Sequence, residues 1–248
     1  MLTTETVGIN IGADLGQRVD FSAFTVAEGQ LRAGVEHYVL RALERAQLGT
    51  DYVKIAARLN ELYVKTCGIV DEYNGAAKAR QDELRRELEL MGPLASNKQV
   101  APMLERIQRC ETAVGRPTIY VDVTGLGGPF MDFLLREFPS LPVVGVTITS
   151  GEKAVEQYQP KGYQTLHVGK EALIGRLQVL LGSGRIHMPQ TAVAAELEHE
   201  LKVFEGRTTA AKHVKYEAKE GSHDDLVISA ALAVWAPAAV AAERVQVF

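Results

Sequence analysis

The residues best equipped for chemistry are aspartates placed where strands or a helix begin or end. Asp14 closes the run Val7-Gly8-Ile9-Asn10-Ile11-Gly12-Ala13-Asp14-Leu15, and Asp20 follows six residues later across Gly16. Asp122 stands between Val121 and Val123 in the apolar run Pro117 to Val123, and the pair Asp224-Asp225 opens the last apolar helix. A charge buried without a partner in an apolar strand is strongly unfavourable, so Asp122, and Asp14 between Ala13 and Leu15, call for compensation. If the two strands are neighbours, their carboxylates meet, and such a cluster stays ionised only beside a cation. Oxygen ligands without a Cys or His set select hard ions, Mg²⁺ or Mn²⁺, over zinc. Two such ions, about 4 Å apart, are a standard device for in-line phosphodiester cleavage. Asp20 before Phe21 also suits a turn, and Ser222-His223-Asp224-Asp225 also suits an ordinary helix start with acids in its first turn. His223 fits either assistance in proton transfer or a plain surface loop.

The elements that must carry these residues follow from periodicity. Val7 to Leu15, Phe21 to Ala27 and Leu31 to Leu40 read as strands, and Glu28-Gly29-Gln30 has hairpin chemistry, so an antiparallel meander opens the fold. From Asp51 the period becomes helical, with Tyr52, Ile55, Leu59 and Leu62 on the face that should cover the meander. Ala76 to Met91 holds four positive and four negative residues in sixteen, and Gly92-Pro93 breaks it before a second helical run from about Gln99 to Val114. This segment, about 74–116, reads as a charged helical hairpin standing out from the body, paired through Leu84, Leu88 and Met91 against Leu104 and Ile107. Pro117 to Val123, a helix with Phe130, Leu134 and Phe138, and Val143 to Val146 form a strand-helix-strand crossover of the right-handed kind. Helices follow at Leu173/Leu177/Leu180, Val193/Leu197/Leu201/Phe204 and Leu226 to Trp235, with a hairpin or flap between Arg207 and Gly221. The class is α/β.

At 248 residues, 46% hydrophobic and 23% charged, the chain has material for one large domain and excludes disordered, collagen-like and disulfide-stapled classes. A balance of 27 Lys+Arg against 31 Asp+Glu gives −4, so any nucleic-acid contact must be local and salt-sensitive. Cys67 and Cys110 lie far apart without zinc-site companions and read as small apolar residues of a reducing compartment. Without a membrane-length apolar stretch or a signal segment, a soluble, cytoplasmic protein with no membrane partner is expected.

Three stretches together carry a family resemblance. Gly12-Ala13-Asp14-Leu15-Gly16 with Asp20, then Tyr120-Val121-Asp122-Val123-Thr124-Gly125-Leu126-Gly127, then Gly221-Ser222-His223-Asp224-Asp225-Leu226-Val227 before an Ala-rich helix resemble the nuclease domain of tailed-phage terminase large subunits. The resemblance spans nearly the whole chain apart from the charged hairpin, and its His-Asp-Asp ending is the most specific piece. It implies a ribonuclease H-like mixed sheet flanked by helices, residues 1–248 forming one nuclease domain with the hairpin as an insertion. It also implies metal-dependent cleavage of double-stranded viral DNA during genome packaging, in the cytoplasm of an infected or lysogenic host cell. Asp14, Asp122 and one or both of Asp224 and Asp225 match the family's metal-binding acids, with two Mg²⁺ or Mn²⁺ ions implied, and Asp20 matches an accessory acid. A packaging ATPase, a small terminase subunit or a portal are the implied partners. No G-x-x-x-x-G-K-[ST] occurs, so the ATPase motor is expected to be absent from this chain.

On this reading the phosphate contacts fall to Lys153, to Lys170 at a helix start, and to the Lys202 to Lys219 segment. That segment carries Lys202, Arg207, Lys212, Lys215 and Lys219 against Glu205 and Glu217, a local +3 that equally suits a solvated face. Three alternatives stay open. Gly12-Ala13-Asp14-Leu15-Gly16 and Asp122-Val123-Thr124-Gly125 also resemble phosphate loops of actin and sugar-kinase ATPases, although no later adenosine loop is visible. A Holliday-junction resolvase and a non-catalytic packaging subunit are the others.

Overall fold

The computed structural model describes residues 4–16, 20–92, 96–110, 113–124, 127–150, 156–158, 163–203, 205–208, 214–217 and 223–235. Three antiparallel strands, β1 (Thr4–Asp14), β2 (Ala23–Arg32) and β3 (Val35–Arg45), open the fold. The turn between β2 and β3 differs from the expected Glu28-Gly29-Gln30. It lies at Ala33-Gly34, whose φ values of 51° and 79° are both positive, as a tight hairpin with matching twist requires. Glu28 instead sits inside β2, completely buried, because Thr6 Oγ1 and Gln30 Nε2 donate to its Oε1 while Arg41 Nε and Tyr73 Oη donate to its Oε2. A buried carboxylate with this many donors does not need a turn's exposure.

Helix α1 (Tyr52–Met91) starts at Asp51, whose side chain accepts from the Lys54 amide, and runs for 40 residues without a break at Gly75. Ile55, Ala56, Leu59, Leu62 and Val70 bury against the sheet, whereas beyond Asn74 only Leu84 is buried. The first helix of the charged arm is therefore the continuation of a core helix. Helix α2 (Asn97–Arg109) returns beside it, shorter than the expected run to Val114. Leu84, Met103 and Ile107 form the arm's own small core with Leu88 and Cys110 around it, while Leu104 and Met91, expected in that seam, are half exposed. At the arm's base Asn74 clasps Val114: Nδ2 donates to the Val114 carbonyl at 3.0 Å and Oδ1 accepts from its amide at 2.8 Å.

Strand β4 (Thr118–Asp122), helix α3 (Gly127–Glu137) and strand β5 (Val143–Thr149) form the crossover, β4 lying parallel to both β1 and β5. Then come β6 (Glu156–Tyr158), β7 (Gln164–Gly169), α4 (Lys170–Gly182), β8 (Ile186–His187), α5 (Ala192–Val203), a two-stranded ribbon of β9 (Glu205–Thr208) and β10 (Val214–Glu217), and α6 (Asp225–Trp235). The main sheet has the order β6-β7-β5-β4-β1-β2-β3-β8. Its two faces are covered differently. Ile9, Ile11, Ala13, Ile119 and Val121 face α1 and α3, and Tyr120, Val144 and Val146 face α4, α5 and α6.

That alternation decides where the acids point. Gly12 and Asp14 share one face of β1, and Tyr120 and Asp122 share the same face of β4, both toward α6. Helix α6 is buried on all sides and lies against bare backbone: a Cβ on Gly12 would fall 2.0 Å from the Ser229 carbonyl oxygen and 2.6 Å from the Ala233 nitrogen. Only glycine permits this approach. A buried hydrogen bond of 2.9 Å between Thr25 Oγ1 and Ser229 Oγ fixes the helix along β2. Among the described residues no helix is long and apolar enough to cross a membrane, and Cys67 and Cys110 are free thiols.

Candidate active site

Strands β1 and β4 pair in parallel with Ala13 opposite Val121, so Asp14 and Asp122 occupy the next register step at the carboxyl ends of adjacent strands. The N-terminus of α6 brings Asp224 and Asp225 to the same place, and Asp20 returns there because Ser22 Oγ accepts from the Gly16 amide and closes the loop after β1. All five acids line one cavity of about 430 Å³. Lys170, the first residue of α4, enters the same cavity and donates to Asp224 Oδ2 at 3.2 Å. His223 also lines it, its ring edge-on to Phe21 with centroids 4.9 Å apart.

The carboxylates disturb one another. Burial, then Asp122, Asp225 and Asp224, push the Asp14 carboxyl well above its ordinary value, with Lys170 opposing. Burial also raises Asp122, against hydrogen bonds from Thr124, whose amide donates to Oδ1 at 2.7 Å, and against Lys170. Asp225 is pushed up to about 6, first by burial, while Arg45 and His223 oppose and Asp224 and Asp20 add to the rise. Protons or cations must relieve this crowding.

The donor set fits a hard cation. The donors are carboxylate oxygens, five acids against one ammonium among the described lining residues, and Asp225 Oδ2 is buried without a hydrogen-bond partner among the described residues. The described residues contain no ready-made cluster of three ligating groups.

Of the residues proposed from sequence for DNA contact, Lys170 faces the acids, and Lys202 is exposed and pairs with Glu198 at 3.8 Å along its own helix. Arg207 and Lys215 are register partners in the β9–β10 ribbon, in the stretch expected to form a hairpin or flap. Lys153 and Lys212 lie outside the described residues, as does Phe204.

Sequence reasoning missed Arg45 and Glu200. Arg45, at the end of β3, bridges Glu196 at 2.8 Å and Glu200, and stands 3.6 Å from Asp225 Oδ2. The signal available was Glu200 itself, an acid on the apolar side of α5 three residues after Leu197.

A mixed sheet with helices on both faces, acids at the ends of β1 and β4, and a third acidic position opening the last helix define a ribonuclease H-like fold. The large terminase nuclease domain of Thermus phage P74-26 matches it with a TM-score of 0.50 at 20% identity, covering 91% of this chain and 77% of that one. The large terminase nuclease of thermophilic phage G20c with bound magnesium gives 0.48 at 20% identity, covering 91% and 79% of the two chains. The human cytomegalovirus terminase nuclease domain, Mn soaked, gives 0.45 at 11% identity, with 93% and 82% covered. No family model and no curated protein matches the sequence.

Proposed function

We propose that this chain is a metal-dependent endonuclease that cleaves double-stranded viral DNA during genome packaging, by two-metal in-line hydrolysis of a phosphodiester. The observation that carries the reading is the convergence of Asp14, Asp122, Asp224 and Asp225 from three separate elements on one cavity, with Asp20 at its rim. The likeness in fold to the P74-26 terminase nuclease domain supports it. Asp14 and Asp122 would flank the ions from the sheet, and Asp224 and Asp225 would complete the set from α6. Bound Mg²⁺ or Mn²⁺ supplies a Lewis acid for the phosphate oxygens and lowers the pKa of a coordinated water.

The protein's own part is positioning. Carboxylates on two adjacent strand ends cannot move apart, so they hold a fixed separation while substrate enters. Lys170, paired to Asp224, supplies a positive charge to a phosphate at the cavity. Arg207 and Lys215 on the ribbon, with Lys153, Lys202 and Lys212, are read as backbone contacts to DNA. Residues 1–248 are read as one domain in which 74–116 is an insertion, its outer face serving a packaging ATPase, a small terminase subunit or a portal.

Plasmid cleavage in EDTA, Mg²⁺ and Mn²⁺ tests the reading. Nicking and linearisation only with metal is the expected result. ATP hydrolysis without cleavage would favour the actin or sugar-kinase alternative, preference for four-way junctions a resolvase, and no cleavage in any metal a non-catalytic subunit.

A further inference from the structure

We propose that Arg45 and Glu200 are positioning residues that aim Asp225 into the acidic cavity, a role that rests on the endonuclease reading. Glu200 lies on α5, only 5% exposed, and its two oxygens face different partners. Oε2 accepts from the amides of Leu226 and Val227 at 3.2 and 3.3 Å, and Oε1 accepts from Arg45 Nη2. The first amides of a helix have no partner within it, so a carboxylate from another helix here works as a remote cap and favours the positive end of the α6 dipole. It fixes both the height and the rotation of α6 at the turn bearing Asp225.

Arg45 supplies the second half of the clamp. Its guanidinium is held on three sides: by Glu200, by Glu196, and by the Phe21 ring, whose centroid lies 5.1 Å away. So fixed, Nη2 stands 3.6 Å from Asp225 Oδ2, beyond hydrogen-bonding distance. The charge therefore attracts the carboxylate without capping its oxygen. Oδ2 is buried on the guanidinium's side and has no hydrogen-bond partner among the described residues, so Arg45 holds the carboxylate by this oxygen while the residue lines the cavity. The same guanidinium reaches Phe21, which follows Asp20 and meets His223, so one side chain ties β3, α5, α6 and the Asp20 loop together. Outer-shell groups that orient a ligating carboxylate act in this way.

The test uses the full chain and Mn²⁺ as the probe. Mn²⁺ binding is titrated by calorimetry, cleavage is followed against Mn²⁺ and against DNA, and exchange of the Leu226 and Val227 amides is measured. Arg45→Lys keeps the charge and loses the fork; Glu200→Gln keeps the shape and loses the carboxylate. Each should weaken Mn²⁺ binding about tenfold, leave KM for DNA unchanged, and recover kcat at saturating Mn²⁺; Glu200→Gln should also speed exchange at the two amides. Arg58→Lys, in an ion pair with Glu44 and Glu61 on α1, is the control and should bind Mn²⁺ as the wild type does. If the buried substitutions do not fold, Glu196→Gln, at the exposed bracket of Arg45, should still weaken Mn²⁺ about twofold, the scale of a surface ion pair. Folded Arg45→Lys and Glu200→Gln proteins with wild-type Mn²⁺ affinity would overturn the proposal, as would an unaltered Glu196→Gln where the other two do not fold. A wild-type chain that binds no Mn²⁺ and cuts no DNA would instead overturn the endonuclease reading beneath it.

Discussion

Asp14 and Asp122 are costly residues for their positions, and the cost gives each a measurable signature. Replacing either with Asn should abolish plasmid cleavage while leaving the fold and most DNA binding intact, because these side chains support no packing; a variant cutting at near the wild-type rate would contradict the assignment. The acids also set the pH dependence of stability. A carboxyl whose folded pKa is raised binds more protons in the native state, so its penalty grows as pH rises from the unfolded value through the folded one. For Asp225, between 3.8 and about 6, its contribution to the stability of the metal-free protein should fall over that window and level off above it, on top of the further losses from Asp14 and Asp122. Asp225→Asn should remove this share and so flatten the pH dependence relative to the wild type, a gain at pH 7 with a ceiling on the order of 3 kcal/mol, read from thermal melts of both proteins at pH 4.5 and 7 in EDTA. The acids were legible because aspartate is conspicuous among Val, Ile and Ala. Arg45 and Glu200 were not, since their pairing joins positions 155 residues apart and only tertiary structure reveals it.

Among the elements, α6 was readable as an apolar helix, and the bare backbone it needs explains why glycine stands at position 12, two residues before the end of β1. The hairpin after β2 was misread because Glu28-Gly29-Gln30 has turn composition while its burial depends on donors from β1, β3 and α1. The arm's continuity with α1 was hidden for a related reason. A change from an apolar to a charged face marks where a helix leaves the core and does not mark where it ends. Since Asn74 and Val114 already clasp each other, replacing residues 75–113 with a short Gly-Ser linker should leave metal-dependent cleavage of naked DNA largely unchanged, the closure adding only modest loop entropy. A deletion protein that unfolds or loses cleavage would make the segment part of the core.

For the whole molecule, a net charge of −4 and an acidic cavity leave DNA attraction to local cations, one of which, Lys170, is already paired. Affinity for duplex DNA should be weak, indifferent to sequence and steeply salt-dependent, with log affinity falling by roughly 0.9 per neutralised phosphate for each unit of log salt. A footprint at one defined sequence that survives high salt would contradict this. The path of α1 adds a geometric consequence. Its start lies near the acidic end of the sheet, where Tyr52 meets Phe130, and its Tyr73 reaches Glu28, five residues along β2 from the partner of Asp14. The arm therefore leaves the body at the end remote from the acids, and its tip lies on the order of 40 Å from them, adding strand rise to helix rise. A body gripping that tip has hold of a handle: it can carry or turn the molecule while the acidic mouth stays open on the opposite side.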